Sequence, residues 1–181
     1  MTKKLLPLIS IFIAAALAIS AADAPRVSRA LMTSVEKNLD DRIARLWNDN
    51  PMALVGTTRG VYLPGFGVVF SAEMNVATAN VSLMNPTLTE PEKVALHKKK
   101  TDRIPQLKDA MKKALVDMAA SLDPVPATDQ VVIALILPRY SWENATGVPL
   151  QVTAQSTRQQ LLAARANPAT LDQAIKITES Y

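Results

Sequence analysis

Three stretches of this chain hold residues whose types and spacing could do chemistry. Between positions 93 and 113 lie Lys93, Lys98, Lys99, Lys100, Arg103, Lys108, Lys112 and Lys113, with only Asp102 and Asp109 to offset them. That bias suits an anionic partner: a lipid headgroup, an envelope polymer or an acidic protein. The competing reading is the solvated side of an amphipathic helix. The aromatic residues are also grouped. Tyr62, Phe66 and Phe70 sit around a glycine-rich stretch, and Tyr140 and Trp142 stand in RYSWENATG at 139–147, beside Arg139 and Glu143. Exposed rings of this kind anchor proteins and ligands; they also fold back over the end of a sheet. The candidate binding residues are therefore Tyr62, Phe66, Tyr140 and Trp142, with Lys98, Lys99, Lys100 and Arg103 from the basic cluster.

The third stretch is GVYLPGFGVVFSAEMNVA at 60–77. With Gly56, four of the five glycines fall between 56 and 67. A nucleotide cradle would need a third glycine after Gly65 and Gly67, or a following Gly-Lys-Ser/Thr, and neither is present. Such a cradle also uses the N–H groups of a following helix, whereas here a strand follows. Pro64-Gly65 instead supplies a fixed φ and then a positive one, as a tight turn requires, and Gly67 is placed to form a bulge.

Catalytic sets are sparse. With one histidine, His97, no multi-histidine metal site can form, and with no cysteine there is no thiolate ligand or nucleophile. No nucleophile-elbow pattern accompanies any serine. Glu73, in mid-strand, is the first candidate for a carboxylate mechanism, yet it has no visible partner. No catalytic residue, metal ligand or cofactor is assigned. Basic residues do not alternate with stacking aromatics, which disfavours nucleic acid.

These residues must be positioned by elements that periodicity reveals. Val27, Leu31, Val35, Leu39 and Ile43 mark one face of a first helix, ended by 48–51. Residues 52–63 and 67–77 read as a hairpin, the second strand alternating strictly from Val68 to Val76. Thr89 with Glu92 has capping-box spacing, so a helix is expected from Glu90. Ile104, Leu107, Met111, Leu115, Met118 and Leu122 continue a helical stripe, with a break expected near 100–102 because Pro105 cannot lie deep in a continuous helix. Val131–Leu137 is a continuous apolar run, expected as a central strand. Val148–Ala154 reads as a fourth strand, and Ser156 with Gln159 as the box opening a last helix. The expected fold is a single α+β domain. It has an antiparallel-rich, four-stranded sheet of two strand pairs, helices over one face, and the order α-ββ-α-ββ-α.

Destination is read from the N-terminus. Lys3-Lys4, an apolar run from Leu5 to Ile19, and then Ser20-Ala21-Ala22 match a cleavable signal peptide over 1–22. The run is shorter than the about 20 residues of a bilayer span. Cleavage leaves residues 23–181 as one domain, with 18 Lys+Arg against 16 Asp+Glu. The expected protein is exported, periplasmic or extracellular, without a membrane span. It is a non-catalytic binding or interaction module for an unknown partner, which would be an envelope protein or an anionic envelope component. The alternative is a small secreted hydrolase using a carboxylate or serine.

Overall fold

The computed structural model describes residues 27–47, 53–79 and 87–181. The expected signal segment, 1–22, lies outside the described residues, as do the first helix's expected stop at 48–51 and the polar 80–86. Among these residues four α-helices and six strands follow in the order α1 (Arg29–Ala44), β1 (Ala53–Leu54), β2 (Arg59–Leu63), β3 (Gly67–Asn75), α2 (Glu90–Ser121), β4 (Gln130–Ile136), β5 (Gln151–Thr157), α3 (Arg158–Ala166), α4 (Leu171–Ala174) and β6 (Lys176–Ser180). The fold is mixed α+β. No helix among the described residues is long and apolar enough to cross a membrane.

The sheet departs from the expected two antiparallel pairs. β1 and β2 lie along the same edge of β3, and the remaining order is β3-β4-β5-β6, which makes five rows. β3 and β4 are parallel, with Gly67 opposite Gln130 and Glu73 opposite Ile136; the other pairings are antiparallel. The parallel pair follows from the connection, since α2 carries the chain the length of the sheet and returns it to the same end. β6 is the unexpected fifth row. It is half-buried only through Ile177 and Glu179, so its apolar signal is a single residue.

One sheet face carries the core. Val68, Phe70, Ala72 and Met74 of β3, Val131, Ile133 and Leu135 of β4, and Val152 and Ala154 of β5 join Met32, Val35, Leu39 and Ile43 of α1 and Ile104, Leu107, Met111 and Leu115 of α2 in one cluster. Alternation puts each strand's buried set on that side. On the other face Val61 and Ile136 are exposed, while Val132 is buried. Polar bonds seat α1 on the sheet edge. Glu36 takes two hydrogen bonds from Arg29 and one from the Gly60 N–H, and Asp40 takes the Thr58 N–H and hydroxyl.

α2 corrects the expected break. Its start is as read: the Thr89 N–H and hydroxyl both donate to Glu92, whose pKa those bonds lower. The helix then runs unbroken through Pro105 to Ser121. Pro105 is exposed, so the Thr101 carbonyl that it leaves unbonded lies one turn away toward solvent, and the Gln106 side chain donates to the neighbouring Asp102 carbonyl. At the far end Arg158 donates to the Ala119 and Val125 carbonyls and pairs with Asp123. The bond to Ala119 satisfies a carbonyl that the helix end leaves open.

The other boundaries shift by small amounts for local reasons. Ser156 stays in β5, buried, and donates to the Ala174 carbonyl; Thr157 with Gln160 caps α3 one residue later than expected. β5 begins three residues after the expected Val148, because 148–150 still belong to the preceding loop. At the hairpin, Phe66 N–H bonds the Leu63 carbonyl around Pro64 and Gly65, whose φ is +78°. Gly67 pairs directly with Leu63, with no bulge. Its role is close approach: a Cβ there would lie 2.0 Å from the Gln130 carbonyl oxygen.

Candidate functional site

Because β3 and β4 are parallel, both leave the sheet at the same end and then part. β3 runs on toward α2, and β4 into 137–150 on the way to β5. Crevices form at the carboxyl ends of parallel strands where such connections diverge. Here the crevice is a cavity of ≈ 630 Å³. Asn75, Ala77, Thr78 and Ala79 line it from the exit of β3, Thr87, Leu88 and Lys93 from the entry to α2, and Tyr140, Trp142 and Glu143 from the loop after β4. A smaller cavity of ≈ 290 Å³ adjoins it toward α2 and shares Lys93, Trp142 and Glu143.

The loop that carries the aromatic pair is rooted at both ends. Leu137 N–H bonds the Leu150 carbonyl at its base, and Leu137 and Val148 are buried. Glu143 N–H bonds the Tyr140 carbonyl, Thr146 N–H bonds the Asn144 side chain, and Gly147 turns with φ +71°. Midway, Glu143 Oε2 meets Lys100 Nζ of α2 at 2.5 Å, the two side chains only 7% and 5% exposed. Above this anchor the Tyr140 and Trp142 rings stack, with centroids 5.5 Å apart and planes 7° from parallel. They remain 59% and 42% exposed. An open stack held by a buried ion pair is a preformed apolar wall, which lowers the ordering cost of binding.

The charges at the cavity differ in how firmly they are held. Lys100 and Glu143 neutralise each other. Lys93 Nζ reaches Glu90 Oε1 at 2.7 Å, but Glu90 is 83% exposed, so this is a surface pair of small worth. His97 lines the smaller cavity and lends its backbone carbonyl to the Thr101 hydroxyl.

The expected site residues are thus divided. Tyr140, Trp142 and Lys100 come together at the cavity. Tyr62 and Phe66 are at the opposite end of the sheet, roughly 25 Å away along β3. Phe66 is exposed, whereas Tyr62 packs half-buried on the core. Burial and the neighbouring Asp129 carboxylate raise the Tyr62 hydroxyl pKa. The basic cluster is dispersed by pairing. Lys98 bonds Asp102, Lys108 bonds Glu179, and Lys112 bonds Asp109 and Asp172. Arg103 is buried, donating to the Val76 carbonyl at 2.6 Å with its guanidinium 4.5 Å above the Trp47 ring. Lys99 borders a shallow groove with Trp47 and Lys98.

The candidate binding set omits Lys93, Glu143 and the β3 exit residues, although Lys93 stands in the basic stretch and Glu143 beside the aromatic pair. Glu143 adjoins Trp142, but the 43 residues that separate it from Lys100 hide the pairing. Glu73, exposed on the sheet face away from the core, is not among the residues lining either cavity. Among the described residues no three His, Cys, Asp or Glu side chains gather as a metal site would require. No protein-family model matches the chain, and no curated protein or solved structure matches it either.

Proposed function

We propose that the chain is an exported, non-catalytic binding module and that its ligand site is the cavity at the carboxyl ends of β3 and β4. The observation that carries this reading is the Tyr140–Trp142 stack, left open to solvent on a loop anchored by the Lys100–Glu143 pair. The cavity volume lies within the range of about 300–1,000 Å³ usual for small-molecule sites. Its walls combine rings and alkyl groups with a few polar groups, as such sites do. Export rests on the signal-like order of residues 1–22. No observation favours the hydrolase reading over this one.

One preparation tests both parts. The full chain is expressed with its N-terminus intact and isolated from outside the cytoplasm, and its mass is measured. It is then titrated with Nile red, an uncharged dye that brightens in apolar surroundings. A mass starting at Asp23 and saturable brightening that Trp142→Ala abolishes, with the circular dichroism unchanged, are expected. Absence of the chain from the fraction outside the cytoplasm would overturn export, and retention of Met1 there would overturn cleavage. Undiminished dye binding in Trp142→Ala would overturn the site.

A further inference from the structure

The charge arrangement of the cavity narrows its ligand. Among the lining residues of the larger cavity the ionised side chains are Lys93 and Glu143. Glu143 is already held by Lys100, at 2.5 Å and away from water, so it is not offered to a ligand. Among the described residues Lys93 is held only by Glu90, a partner on the same helix turn, mostly in water and outside the larger cavity's lining. Exchanging an exposed counter-ion for a ligand's anion costs little, because solvent screens surface pairs of this kind. Glu92 is not among the larger cavity's lining residues, and its Oε2 accepts from the Thr89 N–H and hydroxyl. Among the described residues the larger cavity therefore presents one exchangeable cation, at the start of α2. Lining the cavity with it are Trp142, Tyr140 and the small apolar side chains Ala77 and Ala79.

On the binding-module reading above, we infer that the ligand is a small organic carboxylate with an apolar body. Its carboxylate meets Lys93 and its body lies against Trp142. Asn75 gives the β3 end of the cavity a hydrogen-bonding side chain, and among the described residues no second cation lines the larger cavity to pair with a dianion. The volume holds a molecule of small-ligand size.

Charged and neutral twins of one body test this. Phenylbutanoate and octanoate carry the carboxylate on an aryl or an alkyl body; their amides lack the charge, and phenylbutylamine reverses it. Binding is read from the Trp142 indole N–H resonance of the full-length chain. The chain has two tryptophans, and Trp47 donates its indole N–H to Gln106, so Trp142→Phe assigns the signal. Saturable shifts with either carboxylate are expected, about tenfold weaker for the amides and for Lys93→Met, as loss of one charged hydrogen bond implies. The aryl-to-alkyl affinity ratio identifies the body that the stack prefers. If amides and acids bind equally, or Lys93→Met changes nothing, the carboxylate assignment is overturned while the cavity remains a binding site. Tighter binding of the amine would do the same. If none of the five probes shifts the Trp142 resonance saturably, both the ligand class and the cavity reading are overturned.

Discussion

Glu143 is a carboxylate less than a tenth exposed in a loop whose neighbouring side chains largely face water. Nothing in its immediate sequence demands burial; Lys100 does, by arriving from α2 with a charge that itself is buried. Removing one partner leaves the other charged and desolvated, which is far worse than removing both. Glu143→Gln should therefore cost about 3 kcal/mol of stability, and Lys100→Met a similar amount. The double variant should cost much less than their sum. Urea denaturation of the four proteins checks this; additive losses would mean that the two charges do not hold each other. The same pair shows what was legible at this scale. Tyr140 and Trp142 could be singled out because rings in a polar loop are locally anomalous. The bond that presents them could not, because a lysine among lysines and an acid in a loop carry no mark of a partner 43 residues away. Arg103 was misleading for the same reason. It reads as one more surface cation, yet Val76 and Trp47 enclose it.

Elements with one strong period were readable. The stripe of α1, the lower half of α2, the alternation of β3 and the apolar run of β4 all stand where the spacing puts them. Elements held by distant partners were not. The turn from β1 to β2 depends on Thr58 bonding Asp40, and β6 depends on α2 and β5. The unbroken α2 is the clearest conflict between local and tertiary preference. Ile104, Leu107 and Met111 flank Pro105 on the buried face, and their packing keeps the helix straight enough to cross the sheet. An interior proline costs about 3 kcal/mol relative to alanine in a helix. It also restricts the unfolded chain, which returns about 0.4–1 kcal/mol. Pro105→Ala should accordingly stabilise the domain by about 2 kcal/mol, seen as a higher urea midpoint with an unchanged slope. A neutral or destabilising result would show that the helix bends around Pro105 without strain.

At the scale of the whole molecule, the last strand closes a sheet that begins beyond α1. β6 pairs along β5 by backbone bonds and is tied to α2 by an ion pair, Lys108 Nζ to Glu179 Oε1 at 2.8 Å. The contact spans 71 residues, so it exists only when the fold is complete. Lys108, and secondarily the Tyr181 hydroxyl, lower the Glu179 pKa in the folded protein. A carboxylate with a lowered folded pKa stabilises fully above its unfolded value, near 4.3, and loses that contribution as pH falls through the folded pKa. Both side chains are about a quarter exposed, so solvent screening keeps the contribution on the order of 0.5 kcal/mol. Glu179→Gln should lower the urea midpoint at pH 6, and the difference between the two proteins should be smaller at pH 3, below the unfolded pKa of about 4.3. A difference that is the same at both pH values would mean that β6 is held by its backbone ladder alone, and that the charge on Glu179 plays no part in closing the sheet.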